Sequence, residues 1–156
     1  QTNLKFEEKK RVFGMIPALR NAEYLRYGVM HRNTYLPKQT LNDALQLKAR
    51  PNIRFAGQIT GVEGYMESAA MGLWAGLCCA LQMENRQVTA PDTQTAMGAL
   101  IHYISEYDGR DYQPMNMNFG LMAPLETGRM PKAQKQKLRS VQAKQAFEHW
   151  ISYIEG

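Results

Sequence analysis

The fold of this 156-residue chain depends on one stretch, Gly57-Gln58-Ile59-Thr60-Gly61-Val62-Glu63-Gly64-Tyr65-Met66-Glu67-Ser68-Ala69-Ala70. It follows a short apolar run, residues 53–56, and leads into a long run rich in alanine and glycine. This pattern predicts a strand, a glycine turn and the N-terminus of a helix. Such a junction gathers free backbone N–H groups at the positive end of a helix dipole, so we expect it to bind an anionic or electron-rich ligand. The residues alone leave open a tight turn that binds nothing.

Outward from the turn, apolar periodicity and capping residues predict a mixed α/β chain. The helix after the turn is expected to cover residues 62–83, with Thr60 and Glu63 as a capping box. Its small residues recur at three- and four-residue spacing and are expected to pack closely against a sheet or another helix. The other predicted elements are helices over 2–16 (capped by Thr2 or Asn3), 91–105 and 131–154, strands over 24–30, 44–48 and 53–56, and a turn over 50–52.

The composition is typical of a soluble globular domain, with 44% hydrophobic and 21% charged residues. Lys and Arg number 19 against 14 Asp and Glu, an excess that permits a nucleic-acid partner without requiring one. The longest uncharged run, 68–83, is shorter than the roughly 20 apolar residues that cross a bilayer, so no membrane partner is expected. The adjacent Cys78 and Cys79 are expected to stay reduced, which favours a cytoplasmic location.

The start of the chain is unusual for a nucleotide-binding α/β protein. It opens with Gln1-Thr2-Asn3, and no G-x-G-x-x-G fingerprint occurs anywhere in the sequence. We therefore expect the chain to be the C-terminal piece of something longer.

The glycine-rich stretch closely resembles the C-terminal signature of the glucose-inhibited-division-protein-A superfamily of flavoproteins. Other motifs resemble one branch of it, the bacterial folate- and FAD-dependent tRNA (uracil-5-)-methyltransferases. Those motifs are Arg11-Val12-Phe13, Met15-Ile16-Pro17, Arg26-Tyr27-Gly28, Met30-His31-Arg32-Asn33-Thr34, Leu45-Gln46-Leu47 and Met115-Asn116-Met117-Asn118-Phe119-Gly120-Leu121.

The resemblance implies a fold: the C-terminal portion of a glutathione-reductase-type FAD-binding, Rossmann-like domain with additional C-terminal helices. All of residues 1–156 would belong to that domain, with about 1–30 returning from an inserted domain and 128–156 forming a basic C-terminal helix. The pyrophosphate-binding fingerprint and the catalytic cysteines would lie in the missing N-terminal part. No residue of this chain is therefore assigned as catalytic or as a metal ligand.

The resemblance also implies an activity. Members transfer a methylene carbon from methylenetetrahydrofolate to C5 of a uridine in the T-loop of tRNA, through reduced FAD that NADPH or NADH recharges. The expected partners are thus tRNA, folate and the missing N-terminal part of the same protein.

Contacts with FAD, made mainly by the backbone, are expected from Gly57, Gln58, Ile59, Thr60 and Gly61. Reduced flavin carries negative charge along its N1–C2=O edge, and the helix N-terminus beyond the turn is expected to stabilise that charge. The side chain of Gln58 is expected to hydrogen-bond the ribityl hydroxyls.

A second group, His31, Arg32 and Asn33, is predicted to bind substrate. The resemblance implies that His31 covers the folate pterin against the flavin. Arg32 would pair with the folate glutamate or a tRNA phosphate, and Asn33 offers a donor and an acceptor to a pterin or uracil edge. Residue types alone leave open a polar strand end exposed to water.

A third group lies in a stretch without acids between Glu126 and Glu148. Lys132, Lys135 and Arg139 come close to one another at helical spacing and are expected to contact tRNA phosphates, and a solvated helix face is the alternative. Further basic candidates for the tRNA backbone are Arg129, Lys137, Lys144, and Arg50 or Arg54. The opposite apolar stripe, expected in the core, is Leu138, Val141, Phe147, Trp150, Ile151 and Ile154.

Two other functions remain open on the sequence. The sister branch of the superfamily modifies the wobble uridine of tRNA and shares the glycine signature, but it usually lacks the run at 30–34. A non-catalytic RNA- or nucleotide-binding module would explain the basic excess, yet not the ordered succession of flavin-facing motifs.

Overall fold

The computed structural model describes residues 4–24, 33–87 and 89–155, which fall into two compact units, 1–32 and 33–156. In the first unit, helix α1 covers Phe6–Gly14 and a 3₁₀ helix covers Pro17–Leu19. Lys5 holds the N-cap position and makes no side-chain cap, and the predicted caps, Thr2 and Asn3, lie outside the described residues. The predicted strand over 24–30 lies outside the described residues except for Tyr24, which is not in a strand.

The second unit contains a two-stranded antiparallel hairpin of β1, Gln46–Leu47, and β2, Arg50–Arg54. The predicted turn over 50–52 is wrong, because the chain reverses at residues 48–49 and Pro51 lies inside β2. A proline is tolerated there because each strand of a two-stranded sheet is an edge strand.

The described part of this unit also contains the α-helices α2, Tyr65–Met83, α3, Ala96–Glu106, and α4, Lys132–Glu155. Helix α4 begins and ends one residue later than predicted. Helix α3 begins five residues later than predicted, because Asp92 Oδ1 accepts the N–H of Gln94 in a local turn. The cap is instead Thr95, whose hydroxyl accepts the N–H of Gly98 at 2.9 Å.

The core forms where α2 packs against α3 and the hairpin region. Trp74 of α2 is fully buried, and its indole N–H donates to the carbonyl of Asp43 at 2.7 Å. Helix α4 reaches this core through Trp150, whose ring centroid lies 5.8 Å from that of Trp74. The stripe of α4 expected in the core is only half-buried, and Val141 within it is exposed.

The small residues of α2 do not pack against a sheet or helix of the described chain. The buried face of α2 carries Met71, Trp74, Ala75, Cys78 and Leu81. Met71, Trp74 and Leu81 among them are large, and large side chains release more apolar surface from water on burial. The stripe of Ala69, Gly72, Leu73, Gly76 and Ala80 lies on the opposite, exposed face. Among the described residues, no helix combines the length and the apolarity needed to span a membrane.

Candidate functional site

The glycine turn, residues 57–64, consists of a 3₁₀ helix and a sharp entry into α2. The 3₁₀ helix covers Gly57–Thr60 and ends at Gly61, whose φ is +100°. Gly64 is the N-cap of α2 with a φ of +104°. Both values lie in the region that side chains other than glycine rarely adopt, so α2 begins at Tyr65 and not at the predicted residue 62.

The predicted capping box is also wrong. Thr60 is buried, and its hydroxyl donates to the carbonyl of Gly57 at 2.7 Å, inside the turn. The backbone N–H of Glu63 donates to the carbonyl of Met115 at 3.0 Å. No side chain in the described part of the chain caps α2, so the first N–H groups of the helix remain available to another acceptor.

A loop of residues 112–121 holds the turn from outside. The hydroxyl of Tyr112 donates to the carbonyl of Thr60 at 3.1 Å. The N–H of Met115 donates to the carbonyl of Gly61 at 3.1 Å. Asn116 Nδ2 donates to the carbonyl of Glu63 at 2.7 Å. The resemblance of this loop to the family was recognisable from the sequence, but none of its residue types indicated that it holds the glycine turn in place.

The three glycines of the turn serve different purposes. A Cβ added at Gly61 would overlap the Tyr112 side chain, and one added at Gly64 would overlap the carboxylate of Glu67. Glycine at these two positions therefore leaves space that side chains of the chain itself occupy. Gly57 is open, with only the Ser68 Cβ at 4.0 Å, and this is where a ligand could approach the backbone.

The five residues predicted to contact FAD differ in which groups they leave free. The N–H of Gly61 is used, since it donates to the carbonyl of Gln58 at 3.0 Å. The carbonyl of Ile59 accepts the N–H of Leu36 at 2.9 Å, and the hydroxyl of Thr60 bonds inside the turn. The open surface of Gly57 and the exposed side chain of Gln58 remain accessible.

The chemistry of these free groups fits a flavin. An amide side chain suits hydroxyl groups, and an uncapped helix N-terminus suits an electron-rich ring edge. Glu67 limits the second effect, because its carboxylate lies in the first turn of α2 and accepts the N–H of Met117 at 3.0 Å. Part of the helix dipole is therefore already neutralised by the chain itself.

Of the three predicted substrate residues, His31 and Arg32 lie outside the described residues. Asn33 is half-buried, and Leu36 after it bonds the turn at Ile59. Three residues of extended chain span at most about 11 Å. The structure thus brings Asn33 close to the predicted cofactor residues.

Four tyrosines form a cluster behind the turn. The ring centroid of Tyr112 lies 5.2 Å from that of Tyr103, 5.7 Å from that of Tyr107 and 6.0 Å from that of Tyr35. Burial raises the pKa of Tyr112 to about 12 and also raises the pKa of Tyr103. Both phenols therefore stay protonated near neutral pH and act as hydrogen-bond donors.

The three predicted RNA-binding residues meet in one place. A shallow pocket of about 160 Å³, here called the basic pocket, is lined by Phe119, Lys132, Lys135, Gln136 and Arg139. Arg139 has a structural role. Its guanidinium donates to the carbonyl of Phe119 at 2.6 Å and lies 5.6 Å from the centroid of the Phe119 ring. Lys132 and Lys135 are exposed, and neither forms an ion pair with a described residue.

Three of the other basic candidates have partners or lie outside the basic pocket. Lys144 pairs with Glu148 at 3.7 Å. Arg54 is bound to the carbonyl of Ala44 at 2.7 Å and to Gln82 at 3.1 Å, so it fastens the hairpin to α2. Arg50 is exposed and does not line the basic pocket.

A larger cleft of about 470 Å³ opens between α2, α3 and α4, with a mostly apolar lining. Each of its three polar residues is already engaged: Glu67 by Met117, Thr95 as the cap of α3 and Lys144 by Glu148. A pterin or a uracil needs donors and acceptors along its edge. The cleft therefore lacks the groups that would recognise either ring.

The 112–121 loop connects the two candidate sites. Met115 bonds the glycine turn and Phe119 lines the basic pocket. Four residues of extended chain span at most about 14 Å. A molecule bound at the basic pocket would therefore lie within reach of one bound at the turn.

Comparison with known proteins gives consistent matches over nearly the whole chain. Three relatives carry the name methylenetetrahydrofolate–tRNA-(uracil-5-)-methyltransferase TrmFO. The relative from Cereibacter sphaeroides is 48% identical over 97% of this chain and 35% of its own length. The one from Listeria monocytogenes is 49% identical over 95% of this chain and 34% of its own length, and the one from Ruegeria pomeroyi is 47% identical over 100% and 36%.

This chain therefore spans about a third of the length of the curated relatives that it matches. The model of the family described as glucose inhibited division protein A matches residues 1–87. That match covers more than half of the chain and includes the glycine turn, so the chain belongs to the glucose inhibited division protein A family.

Proposed function

We propose that this chain is the cofactor- and tRNA-facing third of a methylenetetrahydrofolate-dependent tRNA (uracil-5-)-methyltransferase that uses FAD. The supporting observation is the 47–49% identity, over nearly the whole chain, to relatives that carry this name. Those relatives are about three times longer, so activity requires the remaining two thirds of the polypeptide. The location that this function predicts is the cytoplasm.

The proposal assigns the flavin site to the glycine turn. The side chain of Gln58 would bond the ribityl hydroxyls, and the backbone at Gly57 would lie against the cofactor. The uncapped start of α2, at Tyr65, would face the electron-rich ring edge. Bound FAD would supply the electrons that convert the transferred carbon to a methyl group, with NADPH or NADH as the source of those electrons.

Folate and uridine would bind beside the turn. Asn33 supports this assignment, because it is three residues from Leu36, which bonds the turn. Its amide can donate to and accept from a pterin or uracil edge. His31 is proposed to cover the pterin and Arg32 to pair with the folate glutamate or a phosphate.

The tRNA backbone would bind at the basic pocket. Lys132 and Lys135 supply charge that no described acid neutralises, and the exposed ring of Phe119 offers a surface on which a base can stack. Arg139 would hold Phe119 in place and add its charge to the pocket. The 112–121 loop would then set the spacing between tRNA and cofactor.

The proposal extends to domain organisation. Residues 1–156 would form the C-terminal part of an FAD-binding domain of the glutathione-reductase type. Residues from about 1 to 30 would return from an inserted domain, and residues 128–156 would form the basic C-terminal helix. The pyrophosphate of FAD would be held by the part of the protein that precedes this chain.

A chimaera tests the proposal. This chain replaces the matched third of the Listeria monocytogenes relative, and the purified protein is assayed for bound flavin and for transfer of isotopic label from methylenetetrahydrofolate to tRNA. We expect stoichiometric flavin and label at C5 of a T-loop uridine. Modification of the wobble uridine instead, or RNA binding without flavin, would replace the proposal with one of its two alternatives.

Two substitutions in the chimaera separate the assignments. Gln58→Ala is expected to weaken flavin retention, whereas Gln134→Ala on the exposed surface of α4 is the matched control. His31→Ala is expected to raise the KM for methylenetetrahydrofolate more than it lowers flavin content. Equal loss of both properties would remove His31 from the folate site.

A further inference from the structure

Helix α2 is apolar on two opposite faces. One face is buried in the core, as described above. The other, here called the outer face, is exposed and carries no charged side chain; its residues are Tyr65, Met66, Ala69, Gly72, Leu73, Gly76, Ala80 and Met83. Its large side chains are 95% (Tyr65), 81% (Met66), 68% (Leu73) and 84% (Met83) exposed.

A helix that is apolar all round is normally buried, in a larger core or in a membrane. A membrane span is not the reason, since no described helix has the length and apolarity that a span needs. A continuous exposed apolar surface on a protein indicates an interaction site. We therefore expect a protein surface to cover the outer face.

The centre of the outer face is shaped for a close approach. A Cβ added at Gly72 or Gly76 would meet nothing within 4 Å. Glycine inside a helix costs about 0.5–1 kcal/mol relative to alanine, and neither glycine has a positive φ that would require it. Two glycines one turn apart let another backbone come nearer than any larger residue would allow.

We propose that the outer face of α2 is the docking surface for the polypeptide that makes up the other two thirds of the full-length relatives. The chain matches only 34–36% of each of those relatives, so in them about two thirds of the polypeptide accompanies the matched third. The occupant is an apolar packing surface of that polypeptide. The inference depends on family membership and not on the proposed methyl transfer, so either can fail without the other.

The outer face begins directly beside the glycine turn. Tyr65 and Met66, its first residues, directly follow Gly64 at the end of the glycine turn. The docked polypeptide would therefore reach the edge of the turn. A partner that contacted only the C-terminal end of α2, at Met83, would not reach the turn.

The experiment mixes two separately expressed polypeptides: this chain and the remaining two thirds of the Listeria monocytogenes relative. Isothermal titration calorimetry measures the Kd, and light scattering measures the stoichiometry. We expect a one-to-one complex. Gly76→Leu should raise its Kd about tenfold or more, because the new side chain separates the two backbones.

Gly128→Leu is the matched control, since Gly128 is an exposed loop glycine where an added Cβ also meets nothing within 4 Å. Leucine favours a helix more than glycine does, so Gly76→Leu is expected to preserve folding, which circular dichroism checks. Equal affinities for the two variants would overturn the proposal. Self-association of the chain that Gly76→Leu abolishes would also overturn it, in favour of a second copy as the occupant.

Discussion

The hydroxyl of Tyr112 donates a hydrogen bond of 3.1 Å to the carbonyl oxygen of Thr60, while the same side chain fills the space where a Cβ at Gly61 would lie. Two neighbouring residues of the glycine turn thus depend on one tyrosine from a distant loop. The turn keeps its shape through this loop and not through a cap of the helix that follows.

The first prediction concerns this hydrogen bond. Tyr112→Phe keeps the ring and removes the donor, which leaves the Thr60 carbonyl without its partner. The free energy of unfolding is expected to fall by about 1 kcal/mol, measured by denaturant titration of the chain. Tyr153→Phe is the control, because Tyr153 is exposed and makes no hydrogen bond to a described residue. Equal effects of the two substitutions would contradict the assigned role.

The second prediction concerns pH. Burial raises the pKa of Tyr112 to about 12 from an ordinary value of 10, so the folded chain holds this proton more tightly than the unfolded chain. Stability is therefore unaffected below about pH 10 and falls as the pH rises from about 10 to 12. Denaturant titrations across this range should show the decline. Tyr112→Phe should make it shallower, and an unchanged slope would show that other groups cause the decline.

The third prediction compares two glycines. Gly61→Ala places a Cβ at a φ of +100° and against Tyr112, so a loss of more than about 1 kcal/mol in the free energy of unfolding is expected. Gly72→Ala lies in α2 with open space around it, and a gain of about 0.5–1 kcal/mol is expected. Thermal and denaturant unfolding measure both. A loss at Gly72 would mean that the outer face is covered in the isolated chain.

The sequence predicted the elements with strong local signals. The runs that became α2, α3 and α4 are long and periodic, and the two hairpin strands were predicted at nearly the right places although the turn between them was placed two residues too late. Their ends were less predictable, because capping competes with local turns. Thr60 precedes a helical run and resembles a cap, yet its hydroxyl bonds to Gly57 inside the turn.

Long-range contacts were beyond prediction for a physical reason. The turn is held by Tyr112, Met115 and Asn116, which lie about 50 residues away in sequence. Periodicity and capping describe only neighbours along the chain. The outer face of α2 illustrates the same limit: the small residues were expected to pack, and the described chain supplies nothing that packs on them.

The fourth prediction concerns the thiols, which are both free, as expected for adjacent cysteines. Cys78 is fully buried, and burial raises its pKa to about 12, so it presents little thiolate to a reagent. Cys79 is exposed and accepts a hydrogen bond from Arg54. A thiol-specific chromogenic disulfide should therefore react rapidly with one thiol per folded chain and with two after unfolding. In Cys79→Ser the rapid phase should disappear, and a persistent rapid phase would place Cys78 at the surface.

The fifth prediction separates structure from charge in the basic pocket. Arg139→Ala removes the donor to the Phe119 carbonyl and the cation beside its ring, so the free energy of unfolding should fall by about 1–2 kcal/mol. Lys135→Ala removes an exposed charge and should change it by less than about 0.5 kcal/mol. Denaturant titration distinguishes these outcomes.

Binding of unfractionated tRNA to the chimaera should also distinguish Lys135 from Arg139, by the salt dependence of the affinity. If Lys135 contacts one phosphate, Lys135→Ala lowers the slope of log K against log salt concentration by about 0.9, while the protein remains as stable as before. Arg139→Ala weakens binding together with stability, because Phe119 is no longer held at the pocket. A salt slope that Lys135→Ala leaves unchanged would show that Lys135 makes no phosphate contact, and its assignment to the tRNA site would be wrong.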